Sequence, residues 1–264
     1  LMISILDECA MAVEKDHMTR EKQRMEESAR QEALRVNLLR SISHDLRTPL
    51  TSISGNAALL MEDRSQLSDD RRMALYASIY DDSNWLNGLV ENLLTLTRTE
   101  NGAMKLNLQD ELVADAIEEA LRHIDRGAAK RHIRTETGDD LLMARMDAAL
   151  IVQVLINLIN NAVKYTPEGA SISINAKREG DKALVWVEDD GPGIPEEAED
   201  RVFDMFYTGV KRFPDSRRGI GLGLSLCKSI VQAHGGEIGV ANAFPHGARF
   251  WFTLPMVEVK KDGQ

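Results

Sequence analysis

The stretch Ser43-His44-Asp45-Leu46-Arg47-Thr48-Pro49-Leu50-Thr51 sets an imidazole beside a carboxylate, inside a segment whose apolar residues recur at helical spacing. On a helix surface no pocket closes around such a side chain, which makes it an awkward place for catalysis. The arrangement suits an imidazole that is itself the acceptor of a group delivered by another part of the molecule. An imidazole with a pKa near 6.5 is about three quarters neutral at pH 7, so a nucleophilic nitrogen is available without a strong base. Asp45 can hold one ring nitrogen and raise the nucleophilicity of the other.

Upstream, from about Leu6 to Met61, the pattern is long, charged and helical. Met11, Met18 and Met25 fall at heptad spacing among Glu, Lys and Arg, which predicts a coiled-coil linker over residues 1–33. The stripe continues through Leu38, Leu39, Ile42, Leu46, Leu50 and Ile53; Pro49 lacks a backbone donor and is expected to bend the helix just after His44. After the polar break Met61–Gln66, a second helix is predicted from Ser68 to Thr99, with Met73, Tyr76, Ile79, Tyr80, Leu86, Leu89, Leu93 and Leu96 on its apolar face. Two long helices with a short connector make an antiparallel hairpin, here residues 34–102. One hairpin buries too little surface alone, so a homodimer forming a four-helix bundle is expected.

Asn101-Gly102 is a turn signal, and beyond it strands and helices alternate over residues 103–258, ahead of a polar tail at 259–264. Helices are predicted at Leu112–His123, Asp147–Tyr165 and Leu224–His234. Strands are predicted at Ser171–Ala176, Ala183–Glu188, Glu237–Ala241 and Ala248–Leu254, with a short one near Lys105–Leu108. This is the pattern of an α+β sandwich. A formal charge of -10 over 264 residues argues against a nucleic-acid partner. Cys9 and Cys227 have no metal-type spacing and point to a reducing compartment. No apolar run approaches the ~20 residues that cross a bilayer. The chain starts at Leu1 without an initiator Met and reads as a piece of a longer protein.

Within Gln153–Tyr165, helical geometry places Asn157, Asn160, Asn161, Lys164 and Tyr165 inside an arc of about 140°. Leu155, Ile156, Leu158, Ile159, Ala162 and Val163 take the other side. Amide oxygens can meet Mg²⁺ and the ammonium can meet phosphate oxygens, so this face suits a metal-bound polyphosphate. An ordinary amphipathic helix is the plainer reading, but three asparagines within five residues are a poor choice for a merely solvated helix face.

In Val185-Trp186-Val187-Glu188-Asp189-Asp190-Gly191-Pro192-Gly193, a strand ends on carboxylates and runs into glycines that permit a tight turn. A carboxylate there can accept from the 6-amino group of adenine, whereas guanine presents an acceptor and is repelled. Alone, this would be a strand followed by a Gly-Pro turn. Gly219-Ile220-Gly221-Leu222-Gly223-Leu224 then leads into a helix closing at His234-Gly235-Gly236. Its spacing matches neither the Walker loop nor the dinucleotide fingerprint, yet glycines ahead of a helix expose N–H groups to an anion. Between these motifs, Lys211, Arg212, Arg217 and Arg218 outnumber Asp215, as either a charged flap over phosphates or a solvated basic loop.

With these segments in this order, residues 34–255 closely resemble the bacterial sensor histidine kinases of two-component systems. Ser43–Thr51 resembles the H-box, Asn157–Tyr165 the N-box, Asp189–Gly193 the first glycine box, Phe203 and Phe206 the F-box, and Gly219–Leu224 the second glycine box. The run Ser43–Thr51 and the C-terminal half resemble the potassium-responsive KdpD type. The resemblance implies a dimerising helical hairpin followed by an ATP-binding α+β sandwich of the Hsp90, MutL and gyrase type. It implies His44 as phosphoacceptor, Asp45 as the base that orients it, and Thr48 as the residue that positions water for phosphatase action on a partner's phospho-aspartate. Asn161 would ligate Mg²⁺, with Asn157 and Lys164 near the phosphates and Tyr165 beside the nucleotide. Asp189 would read adenine, Gly191 and Gly193 would shape the base pocket, and Gly219, Gly221 and Gly223 would hinge the lid that ends at Leu224.

The implied partner is the receiver domain of a response regulator, and the implied setting is the cytoplasmic portion of an inner-membrane sensor. Many members carry an Arg after the F-box aromatics, but Phe206 is followed here by Tyr207 and Thr208, which leaves the lid cation open between Arg217 and Arg218. The competing readings are an ATP-driven conformational clamp on the same nucleotide fold, without phosphohistidine, and an inactive or phosphatase-only scaffold.

Overall fold

The computed structural model describes residues 17–22, 25, 42–43, 45–62, 67–100, 105–124, 126–138, 141–208 and 221–257. His44, Gly219, the basic stretch 211–218 and most of the expected coiled coil lie outside the described residues. The chain divides into two compact units, Leu1–Asn87 and Gly88–Gln264.

In the first unit, α1 (45–62) runs as helix on through Pro49, which is buried. α2 (Asp69–Glu100) begins one residue after Ser68, whose hydroxyl accepts from Arg71 N at 3.3 Å and so satisfies one of the open donors of the first turn. Asn56 Nδ2 donates to Ser78 Oγ at 3.0 Å. That bond pairs positions on either side of the connector, as an antiparallel hairpin requires. The hairpin leaves Leu50 and Leu59 of α1, and Met73, Tyr76 and Tyr80 of α2, exposed.

The second unit is an α/β sheet domain. Its main sheet is built from five described strands, β2 (His132–Thr137), β4 (Ser171–Glu179), β5 (Lys182–Asp189), β6 (Ile238–Asn242) and β7 (Ala248–Pro255), in the order β2-β4-β5-β7-β6. Among the described residues only β2 and β4 pair in parallel; the other ladders are antiparallel. A separate two-stranded ladder joins β1 (Gln109–Leu112) to β3 (Met143–Met146). The expected short strand thus falls just after Lys105–Leu108, at β1.

Strand alternation puts Ala183, Val185 and Val187 of β5, and Phe250, Phe252 and Leu254 of β7, on one face. Against that face pack α3 (Val113–Arg122), α4 (Ala148–Tyr165) and, beyond the single-turn α5 (Glu196–Glu199), α6 (Gly223–Ala233); α3, α4 and α6 contribute Ile117, Ile151, Leu155, Leu158, Ile159, Leu226 and Ile230 to the core. By length and composition α4 is apolar enough to cross a membrane. In this fold its apolar stripe is core, with Val154, Leu158 and Ile159 fully enclosed.

α4 starts at the N-cap Asp147, whose carboxylate accepts from Leu150 N at 3.4 Å and from Asn107 N at 3.0 Å. It ends at Tyr165 because Thr166 precedes Pro167, which drives Thr166 into extended backbone. His234 ties the end of α6 to this N-cap. Its Nδ1–H donates to the Ile230 carbonyl at 2.8 Å, and its Nε2 accepts from Asp147 N at 3.0 Å. Both ring nitrogens of this buried histidine are therefore committed to structure. His234→Ala leaves the part-buried Asp147 N–H without its partner, while the Ile230 carbonyl keeps the backbone N–H of residue 234, and is expected to lower unfolding stability by about 1 kcal/mol, measured by urea denaturation, with the far-UV spectrum unchanged.

Candidate nucleotide site

Four motifs that are separate in sequence meet in the second unit, and the contacts between them run through glycines. On α4 the apolar residues face the sheet, so Asn157, Asn160 and Asn161 are left half-buried at its margin and Lys164 is exposed. Lys164 Nζ lies 5.3 Å from the centre of the Tyr165 ring. The division of α4 into two faces follows the expectation from its sequence, except that Ile156 is only half-buried.

Asp189 is the last residue in the inward-facing row of β5, in phase with Ala183, Val185 and Val187. Period-two alternation therefore carries a carboxylate into the edge of the apolar layer, where it is buried. Its Oδ1 accepts from Gly191 N at 2.9 Å and Ala248 N at 3.3 Å. Burial raises the Asp189 pKa above the usual carboxylate range; those two backbone bonds oppose the shift, and the charges of Asp190 and Glu188 add to it.

Asp190 has a different job. Its carboxylate accepts from Ser171 N at 3.0 Å and closes the start of β4.

The glycines mark close approaches. A Cβ on Gly191 would stand 2.8 Å from Asp189 Oδ1, 3.1 Å from Thr166 Cγ2 and 3.3 Å from Tyr165 O, so this residue seats the loop after β5 against the end of α4. Gly193 and Gly221 both have left-handed backbone, with φ of 72° and 74°. A Cβ on Gly221 would meet the Phe206 carbonyl carbon and the Tyr207 carbonyl oxygen, each at 2.7 Å, so the second glycine box abuts the F-box. Phe206, itself at φ 67°, donates its N–H to Gly221 O at 3.0 Å, while Phe203 anchors this segment edge-on to Phe250 at 6.3 Å.

On Gly223 a Cβ would come within 3.5 Å of Asn157 Oδ1, which links α6 to α4. Among the described residues no side chain caps the first turn of α6, which leaves its first N–H groups, at Gly223 and half-buried Leu224, open.

Gly191→Ala is expected to push the Asp189 carboxylate out of place and to weaken ATP binding about tenfold, the size of one good hydrogen bond, read by equilibrium titration.

Sequence reasoning did not single out three residues that shape the site. Asn242 clamps the loop after β5: its Oδ1 accepts from Ile194 N at 2.7 Å and its Nδ2 donates to Ile194 O at 2.9 Å and to Glu199 at 3.0 Å. Gly247, at φ 112°, lies so close that any Cβ would overlap the Asp189 carbonyl oxygen. Buried Thr166 donates from its hydroxyl to Ala162 O at 2.7 Å. Gly247 carries a visible signal, since it follows Pro245-His246 between two strands; nothing in the sequence marks Asn242 or Thr166.

The donor set also bears on metal. Among the described residues no cluster of His, Cys, Asp or Glu is placed to hold an ion. The half-buried amides of Asn157 and Asn161, one turn apart on α4, offer hard oxygen donors only. That set fits Mg²⁺, which takes one or two protein oxygens and rests otherwise on phosphates and water.

Comparison with known proteins agrees with this geometry. Residues 34–102 match the His Kinase A (phospho-acceptor) domain, and residues 146–258 match the Histidine kinase-, DNA gyrase B-, and HSP90-like ATPase family. The Sensor protein KdpD of Clostridium acetobutylicum is 38% identical over 252 residues, which is 96% of this chain; the chain spans 28% of that protein's length. The solved structure of Acinetobacter baumannii histidine kinase AdeS is 27% identical with a TM-score of 0.60, covering 81% of this chain and 98% of that one. Histidine kinase ThkA, solved in complex with response regulator protein TrrA, is 28% identical with a TM-score of 0.58 over 82% of this chain and 60% of that one. The chain therefore belongs to the two-component sensor histidine kinases, in their KdpD type.

Proposed function

We propose that this chain is the kinase portion of a sensor protein, which transfers the terminal phosphoryl group of ATP to His44 and then to an aspartate on the receiver domain of a response regulator. The observation that carries this reading is the meeting of the asparagine face of α4, the buried carboxylate at the end of β5 and the uncapped start of α6 in one unit. Asp189 accepts from the adenine 6-amino group. Gly191 and Gly193 let the backbone close around the base, and Tyr165 lies beside it. Asn157, Asn161 and Lys164 take the phosphate end, with Asn161 as the Mg²⁺ ligand, and the N–H groups of α6 after Gly221 and Gly223 face the anion. Bound Mg²⁺ supplies charge neutralisation between the phosphates.

On α1, half-buried Asp45 orients the acceptor imidazole. Exposed Thr48, one turn further on, serves the reverse reaction by positioning water on the regulator's phospho-aspartate. The exposed apolar residues Leu50, Leu59, Met73, Tyr76 and Tyr80 support a homodimer, because a second hairpin would cover them as a four-helix bundle. In this reading residues 1–33 relay a signal from membrane segments of the parent sensor, 34–102 carry the acceptor, and 103–258 form the catalytic domain on the cytoplasmic side.

Incubation with γ-labelled ATP distinguishes the kinase from a clamp that shares the nucleotide fold. The expected product is a labelled protein whose phosphate is lost in acid and kept in alkali. Release of inorganic phosphate with an unlabelled protein would establish the clamp instead.

A further inference from the structure

We infer that Arg131 is a positioning residue for recognition of the base: its guanidinium holds the end of α4 against the loop after β5 and so fixes how the Asp189 carboxylate is presented. This inference rests on the proposed ATP site and extends it to a residue that acts through others. Arg131 is half-buried and follows the short 3₁₀ turn Arg126–Lys130, which its own N–H closes on Ala128 O at 2.9 Å. Its Nη2 donates to the Thr166 carbonyl oxygen at 2.7 Å, 35 positions further along the chain. The chemistry suits that end of α4. The last carbonyls of a helix lack intrahelical partners, and the helix dipole favours a cation beside them. Thr166 precedes Pro167, which has no N–H to turn back on the helix. A side-chain donor from elsewhere takes that place.

Three further bonds strap the same segment to the chain around Arg131. Gly169 N donates to Lys130 O at 2.8 Å, His132 N donates to Ala170 O at 2.8 Å, and Lys130 pairs with Glu168 at 2.5 Å. These fix residues 168–170. Of the four, the Arg131 bond alone reaches Thr166, so it sets the end of α4 while the others keep the turn attached without it.

Thr166 is where α4 meets the loop proposed to read the base. The space that a Cβ on Gly191 would fill is bounded by Thr166 Cγ2 at 3.1 Å, Tyr165 O at 3.3 Å and Asp189 Oδ1 at 2.8 Å. Gly191 N in turn donates to Asp189 Oδ1 at 2.9 Å. The loop therefore has no slack between the end of α4 and the carboxylate. Once Thr166 is freed from Arg131, Gly191 loses its stop, and the N–H that orients Asp189 moves with it. This chain of contacts does not run to Asn157, Asn161 or Lys164, along which the phosphates are proposed to lie.

The test sets ATP against purine riboside triphosphate, which carries hydrogen in place of the 6-amino group and gives Asp189 nothing to accept. Both are titrated at equilibrium with Mg²⁺ against the parent chain and against Arg131→Met, which keeps a long stem and has no N–H donor. Arg131→Met is expected to bind ATP about fivefold more weakly, the effect of one misaligned hydrogen bond, and to bind the analogue as the parent does. Loss of a positive charge acts on both triphosphates alike, so the ratio isolates the base. In an Asp189→Asn background, Arg131→Met should have no further effect on ATP affinity.

Equal losses for the two nucleotides would make Arg131 a strut of the fold and overturn the inference. So would unchanged ATP affinity, or additive losses with Asp189→Asn. If the Met protein fails to fold, as its thermal midpoint reports, Arg131→Gln carries the same comparison. Equal affinity of the parent chain for ATP and the analogue would overturn the proposed role of Asp189 itself, a result distinct from those above.

Discussion

His44→Gln protein, incubated with γ-labelled ATP, is expected to take up no label while binding ATP as the parent does. Glutamine offers a polar amide of similar reach but no nucleophilic nitrogen. The loss should be at least about 10³-fold, the scale for removing a nucleophile that no neighbour replaces. ATP affinity should be unchanged because the residues proposed to hold the nucleotide, from Asn157 to Leu224, all belong to the unit Gly88–Gln264. The pair of measurements is what gives the result its meaning. Label retained at the parent level would remove His44 as acceptor, whereas loss of both label and binding would mean that the variant had failed for another reason. Phosphoryl transfer asks little covalent help of a protein beyond in-line placement and charge neutralisation. The proposed acceptor on one unit and the proposed donor site on the other would meet that demand without a closed pocket around the imidazole.

Part of the candidate site was legible from the residues because two periodicities coincide with its burial pattern. The 3.6-residue period of α4 separates its asparagines from its core stripe, and the two-residue period of β5 carries Asp189 into the apolar layer. Both readings need only local geometry. β2 escaped notice for a physical reason: His132–Thr137 is an edge strand, mostly exposed, whose His, Arg, Thr and Glu give no apolar alternation. β1 and β3 are four residues each, too short to establish a pattern, and β1 consists of Gln-Asp-Glu-Leu.

Residues set by tertiary approach were the least visible. Asn242 acts on a loop 48 positions away in sequence, and the Cys227 thiol meets a carbonyl 73 positions away. No spacing rule connects such pairs. His234, visible in the sequence only as the close of a helix, is a buried strut between α6 and α4, as the tautomer imposed by its two bonds shows.

Asp189→Asn tests the base-reading end of the site and is expected to do three things. The first concerns affinity. Oδ1 of Asp189 is held by two backbone donors, so the substituted amide keeps its oxygen there and turns its NH₂ to the position where Oδ2 is proposed to meet the base. A donor then opposes the adenine 6-amino group in place of an ionised acceptor. The lost charge-assisted bond should weaken ATP binding about 10- to 100-fold.

The second effect is on selectivity. An NH₂ complements the guanine 6-oxo group that the carboxylate repels, so the ratio of GTP to ATP affinity should rise; an unchanged ratio would mean that Asp189 does not contact the base.

The third is pH dependence. Burial raises the folded-state pKa of Asp189 above its unfolded value, so its ionisation opposes folding: the cost is absent below the unfolded pKa and complete above the folded one. The nucleotide-free Asn variant should therefore be at least as stable as the parent at pH 7, with the difference shrinking as pH falls through that window. In the complex the adenine N–H favours the carboxylate, so parent ATP affinity should decline as pH drops through the raised pKa, while the Asn variant shows no such decline. Weaker ATP binding alongside equal or greater stability separates a binding carboxylate from a structural one, which would lose both together.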